Sequence, residues 1–355
     1  MMMHRSVNKK LRTTLSCLMA AVAVALLAPG AASAAKPFQV QGMWIWYVSQ
    51  AEGGNVAKIV ARARKNKVRT VFVKSSDGAA WWQQWDQYAP ALKAAGLNVC
   101  AWQYVYGKNP IAEANLAARA AQTADCIVTD VETEYKNNYA AAQKYLVQLR
   151  SQIGMDYPVG FTSFAYPDYH PTVPYSVFLG PGGAQWNLPQ MYFKDFGHRT
   201  PRVFKQSLQF NQIYQRPIVP IGQTYQNVSY RQAIEFRRHV RAYRLKGYSW
   251  WAWQFTGRKT WTGLRRKLKT PKRKPMPVYP TLTTKNNSDM VRWAKLKLNA
   301  DGATLGLHNR FDTAMQTAVV AFQAKHGLPQ TGQVDPATWP RLQAVTLPAL
   351  TTATR

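Results

Sequence analysis

Between Gln41 and Gly257 short apolar runs alternate with longer stretches whose apolar residues recur every three or four positions. Eight runs read as strands: MWIWYV from Met43, VRTVFVK from Val68, LNVCAWQY from Leu97, CIVTDVE from Cys126, PVGFTSF from Pro158, WNLPQMYF from Trp186, PIVPIGQ from Pro217 and YSWWAWQF from Tyr248. Their starts lie roughly 25 to 32 residues apart, the length of one strand, one helix and two short loops. Helical periodicity covers approximately 54–66, 83–95, 111–122, 137–152 and 201–213. Ala233, Phe236, Val240 and Tyr243 share a further helical face, with a capping box at Ser229 and Gln232 ahead of it and Gly247 as its stop. Only the fifth unit is weak, because AYPDYHPTVPYSVFLGPGG is loop-like and rich in proline. Strand and helix repeated eight times predict an α/β fold, a closed parallel (β/α)8 TIM barrel over 35–257. An open doubly wound sheet is the alternative, but the phosphate-binding glycine loop often found there is absent.

The flanks differ. Residues 1–34 read as a signal peptide: Arg5, Lys9, Lys10 and Arg12, an apolar run too short for a bilayer span, and Ala32-Ser33-Ala34 as the cleavage site. This predicts a secreted protein, extracellular or wall-associated, with no stable membrane insertion after cleavage. Residues 258–287 are crowded with Lys, Arg, Pro and Thr and read as a basic extended linker. Three short helical patterns over 288–345 predict a small all-α domain, in which Val319 and Phe322 pair at i, i+3. Cys100 and Cys126, the two cysteines left after cleavage, fall in consecutive strands; a disulfide is permitted outside the cell, but buried thiols are the favoured expectation. No Cys and His spacing suits a metal, and no cofactor is expected.

Lys and Arg number 46 against 16 Asp and Glu, a formal net charge of +30. Such a surface favours anionic polymers, wall polymers or nucleic acid among them. The run from Arg258 to Lys274 belongs to no recognised nucleic-acid module and reads as a solvated tether, so nucleic acid is not the expected partner.

Where acids are scarce, CIVTDVETEY stands out, because Asp130, Glu132 and Glu134 alternate at the end of the fourth strand. Side chains two apart on a strand point the same way, and the carboxyl ends of barrel strands form the active face. Two close carboxylates there suit glycoside hydrolysis, one as a protonated acid and one as stabiliser or nucleophile. Other strand ends carry flat rings and amides: Trp44 and Trp46; Trp102, Gln103 and Tyr104; Gln190 and Tyr192; Gln223 and Tyr225; Trp253 and Gln254. Rings beside amides suit sugars, which are apolar on their faces and polar at their edges.

The stretch FDTAMQTAVVAFQAKHGLPQTGQVDPATWPRL, with Phe311, Val319, Phe322, Gly327-Leu328, Gly332, Pro336, Trp339 and Leu342, resembles the three-helix peptidoglycan-binding domain. Asn309-Arg310-Phe311-Asp312 replaces that family's usual glycine-rich turn. VFVKSSDG with Asp77, the Asp130-x-Glu132 pair, QMYF and WAWQFTG make the barrel resemble glycoside hydrolase family 25 lysozymes and, more distantly, family 18 chitinases. That resemblance implies Glu132 as proton donor, Asp130 as support for the acetamido group or cationic intermediate, and Tyr192 as a residue holding that group. Where family 25 carries an Asp on the first strand, Trp44 and Trp46 stand here. The expectation is a monomeric, lysozyme-like hydrolase of the peptidoglycan backbone. A non-catalytic wall-glycan binder and a hydrolase of another polysaccharide such as chitin remain the alternatives.

Overall fold

A computed structural model describes residues 36–348 of the chain; the expected signal peptide lies outside the described residues. Among the described residues nine strands form one sheet: β1 Gln41–Ile45, β2 Thr70–Asp77, β3 Ala80–Trp81, β4 Asn98–Val105, β5 Cys126–Val131, β6 Val159–Phe164, β7 Trp186–Met191, β8 Ile221–Gln223 and β9 Tyr248–Trp251. All but β3 are parallel, and β1 pairs with both β2 and β9, which closes the eight into a barrel. The two-residue β3 folds back antiparallel on the end of β2. Both faces of the parallel strands are covered, which is why their sequences read as near-continuous apolar runs.

Helices α1 Val56–Lys65, α2 Gln84–Ala94, α3 Pro110–Ala121, α4 Tyr139–Ile153, α5 Tyr175–Phe178, α6 Thr200–Asn211, α7 Tyr230–Ala242 and α8 Arg258–Arg265 surround it. Asn55, Asn109, Asn138 and Ser229 cap four of them by accepting a backbone N–H of the first turn. The fifth unit has only the four-residue α5, since Pro167, Pro171, Pro174 and Pro181 interrupt any longer helix.

Alternate positions along the strands fill the barrel with Trp44, Phe72, Cys100, Trp102, Cys126, Val128, Leu188 and Ile221, and Phe38 plugs the end where the strands begin. Gly42 and Gly160 make that filling fit: a Cβ at Gly42 would lie 2.5 Å from the Phe72 ring, and one at Gly160 2.9 Å from Leu188. The expectation of free thiols is corrected. Cys100 and Cys126 are direct partners in the β4–β5 register and form a disulfide with a Cα–Cα distance of 4.6 Å. Parallel strands in register bring two inward side chains within bonding reach, which sequence separation does not reveal.

The basic segment expected as an open tether is partly helical. In α8, Trp261 and Leu264 are buried while Arg258 and Lys259 face solvent. Arg237 on α7 donates to the carbonyls of Gly263 and Arg266, and Arg241 to that of Leu268. Amphipathic spacing thus overrides charge repulsion over the first eight residues. Beyond it, α9 Asp289–Ala300, α10 Thr313–Lys325 and α11 Thr338–Ala344 enclose a second core around Val291, Phe311, Val319, Phe322, Trp339 and Leu342.

This three-helix domain packs against the barrel. The buried Asp289 carboxylate accepts from the Ser176 N–H and Oγ–H and from the Tyr214 hydroxyl at 2.8, 2.6 and 2.9 Å. The Trp293 indole N–H donates to the Ile213 carbonyl, and the Tyr139 hydroxyl to Asn309 Oδ1. Asn309, within the turn that departs from the family pattern, is therefore a residue that meets the barrel.

Candidate active site

The carboxyl ends of the strands enclose a cleft of about 320 Å³ lined by rings and acids. Asp130 is the fifth residue of β5 and Glu132 follows its last residue, so strand alternation turns both into the cleft. A single amide joins them: Gln190 Nε2, from the end of β7, donates to Asp130 Oδ1 at 3.2 Å and to Glu132 Oε1 at 2.9 Å. The Trp102 indole N–H from β4 donates to the other Asp130 oxygen at 2.9 Å. Asp130 is 5% exposed, whereas Glu132 opens more to the cleft. Beyond them, Glu134 accepts from the Tyr104 hydroxyl at 2.7 Å.

Burial pushes the Asp130 carboxyl well above the usual carboxylate range and the charge of Glu132 pushes it further, against the Trp102 N–H and the Lys74 ammonium. Glu132 is raised too, chiefly by burial and also by Glu134, while the Gln190 amide favours its ionised form. Two raised carboxyls side by side hold one proton between them more readily than two negative charges. Burial likewise raises Tyr192 well above its ordinary value, so its phenol keeps its proton.

The walls are aromatic. Trp44, Trp102 and Trp251 meet edge to face, with Trp102 and Trp251 centroids 4.9 Å apart, and Trp46, Tyr104, Tyr106 and Tyr192 complete the lining. Asp77 lines it as well, and its hydrogen bond with the Tyr106 hydroxyl pushes that phenol up to about 12. Among the described residues no group of three or more His, Cys, Asp or Glu could hold a metal ion.

Of the expected site residues, the cleft gathers Trp44, Trp46, Asp77, Trp102, Tyr104, Asp130, Glu132, Glu134, Gln190 and Tyr192. The other five do not line it. Gln103 has the opposite parity on β4 and donates outward to the Gly78 and Glu113 carbonyls. Gln223 accepts from the Lys194 N–H at 2.8 Å, and Tyr225 donates to Asp195 while meeting the Tyr192 ring edge to face. β9 ends at Trp251, so Trp253 and Gln254 belong to a 3₁₀ turn, where the Trp253 indole donates to Glu52.

Lys74, Tyr106, Thr162, Ile221 and Trp251 also line the cleft and were not foreseen. Trp251 shares parity with Trp253 one step earlier, a signal present in the sequence. Lys74 was missed although it keeps the parity of the inward Phe72; the β2–β4 register shifts only between Lys74 and Ser76, which brings Asp77, three residues on, to the same side.

Comparison with known proteins separates the two parts. Residues 287–342 match the family model of a peptidoglycan binding domain. No curated protein matches the chain. A peptidoglycan-binding protein from Clostridioides difficile is 32% identical over 19% of this chain, which spans 42% of that one, with a TM-score of 0.18. A family 25 glycosyl hydrolase from Bacillus anthracis is 16% identical over 41% of this chain and 69% of its own, with a TM-score of 0.31. A chitinase from Chromobacterium violaceum is 12% identical over 63% of this chain and 98% of its own, with a TM-score of 0.45.

Proposed function

We propose that the protein is a secreted, lysozyme-like glycoside hydrolase that cleaves the amino-sugar backbone of peptidoglycan, with the three-helix domain supplying affinity for the wall. The observation that carries this reading is the Gln190 amide spanning Asp130 and Glu132 in an aromatic cleft. One proton shared by two buried carboxyls is what a leaving glycosidic oxygen requires.

In this reading Glu132, the more open of the two, delivers the proton. Asp130 keeps the negative charge and faces the cation that develops at the anomeric carbon. The Gln190 amide donates to both and keeps them in place as Glu132, having given up its proton, becomes a carboxylate beside Asp130. Tyr192, protonated, offers a donor to an acetamido carbonyl, and the faces of Trp46 and Trp251 suit the apolar faces of sugar rings. The net charge of +30 draws the protein to anionic wall polymers, an attraction that salt weakens.

Mass analysis of products from purified peptidoglycan and from chitin tests the reading. Fragments ending at a hexosamine support it, and their ratio between the two polymers identifies the substrate. The absence of an acid at Trp44 and Trp46 on the first strand favours a second reading, a binder that does not cut. Retention on peptidoglycan without any product would establish it.

A further inference from the structure

Among the described residues that line the cleft, Lys74 is the one cation, and it is buried. Lys74 on β2 is 3% exposed, and its ammonium lies 4.7 Å from the Trp82 ring centroid, 4.9 Å from Trp102, 5.6 Å from Trp46 and 5.9 Å from Tyr104. Its ionic partner is Asp77, at 2.5 Å. An ammonium withdrawn from water is costly unless charge and ring faces replace the solvent. Here both do, caging the ammonium, and the β2 bulge after Lys74 is what turns Asp77 to the inward side.

The Trp102 ring is common to the cage and to the carboxyl pair. Lys74 lies against its face, while its edge N–H donates to Asp130 Oδ2 at 2.9 Å. A cation on an indole face draws electrons from the ring and strengthens its N–H as a donor, so cation, ring and carboxylate reinforce one another. We propose that Lys74 is a positioning residue for the hydrolysis proposed above: through the Trp102 ring it holds the indole N–H on Asp130, and its charge favours the ionised form of that carboxylate once Glu132 has given up the shared proton.

Other ionisable groups face Asp130 as well: Glu132 and Glu134 beyond its own strand, Tyr104 from β4, and Tyr192 from beyond β7. The acids disfavour the ionised form and the phenols stay neutral. Lys74 is the cation that opposes the acids, and Asp77 partly offsets it. The two therefore act on Asp130 with opposite signs.

The experiment compares Lys74→Met, Lys74→Arg and Asp77→Asn with wild type, and takes Lys65→Met at the exposed end of α1 as the charge control. Two readouts are used: titration of ¹³C-labelled aspartate carboxyls by NMR, and the pH profile of kcat/KM on purified peptidoglycan. Lys74→Met should move the Asp130 titration and both limbs of the profile up by about one pH unit, a tenfold change in proton affinity. Asp77→Asn should move them down, Lys74→Arg should restore most of the wild-type position, and Lys65→Met should match wild type. Shifts of the same sign for Lys74→Met and Asp77→Asn, or none for either, overturn the proposal. Should Lys74→Met fail to fold, a missing or upward shift in Asp77→Asn overturns it alone. Because the NMR titration needs no turnover, opposite shifts without product from any protein would keep the role of Lys74 at Asp130 and remove only the hydrolytic reading.

Discussion

Asp289 makes the packing of the three-helix domain on the barrel depend on pH, with a sign opposite to that of an ordinary surface carboxylate. It is 1% exposed at the start of α9, and three donors from the barrel reach its oxygens. Burial nevertheless outweighs those bonds and the nearby Arg292, and raises its pKa from 3.8 to about 6. The folded state thus binds this proton more tightly than the unfolded chain. Its stabilisation is complete below about pH 4 and is lost as pH rises through 6. A gap of about two pH units, at about 1.36 kcal/mol per unit, amounts to about 3 kcal/mol. Asp289→Asn keeps the shape of the protonated acid and removes the titration, so every other group cancels in a difference. Urea unfolding of both proteins from pH 3.5 to 7 should show wild type losing about 3 kcal/mol relative to Asp289→Asn, with most of the change between pH 4 and 6. Parallel stability curves across that range would refute the reasoning.

Three further outcomes follow from particular contacts. The buried Arg150 guanidinium donates to the carbonyls of Gly154, Tyr157, Gly182 and Gly183 and to Gln185 Oε1, so Arg150→Met should lower unfolding stability by about 3 to 5 kcal/mol; denaturant titration checks it. Cys100 and Cys126 close a loop with a separation of 26 residues, and Cys100→Ala with Cys126→Ala should cost about 3 kcal/mol in the same assay. Gln190→Leu removes the amide that spans the carboxyl pair and should lower kcat on peptidoglycan about a hundredfold without changing the far-ultraviolet circular dichroism.

The barrel was legible because its strands are apolar on both faces and its helices keep their periodicity, so the eight-unit count survived even the proline-broken fifth unit. The core of the cleft was legible for a narrower reason: alternation carries Trp102, Tyr104, Asp130, Glu132, Gln190 and Tyr192 inward together. The same rule applied strictly removes Gln103, which points outward to Gly78 and Glu113. It does not locate the end of a strand, and so Trp253 was expected where Trp251 stands.

What stayed hidden depends on relations between distant residues. The β2 bulge turns Asp77 toward Lys74, and strand register brings Cys100 to Cys126. The packing of Asp289 on Ser176 and Tyr214 joins residues 113 and 75 positions apart, and no local pattern encodes it. In α8 the charge run concealed an amphipathic helix whose buried face is only Thr260, Trp261, Gly263 and Leu264.

The measurement that bears most directly on the central claim is release of soluble reducing ends from purified peptidoglycan by wild type and by Glu132→Gln under identical conditions. A protein that uses Glu132 to protonate the leaving oxygen should lose about a thousandfold in rate on that substitution while still binding the wall. Equal release by the two proteins, or none by wild type, would contradict it.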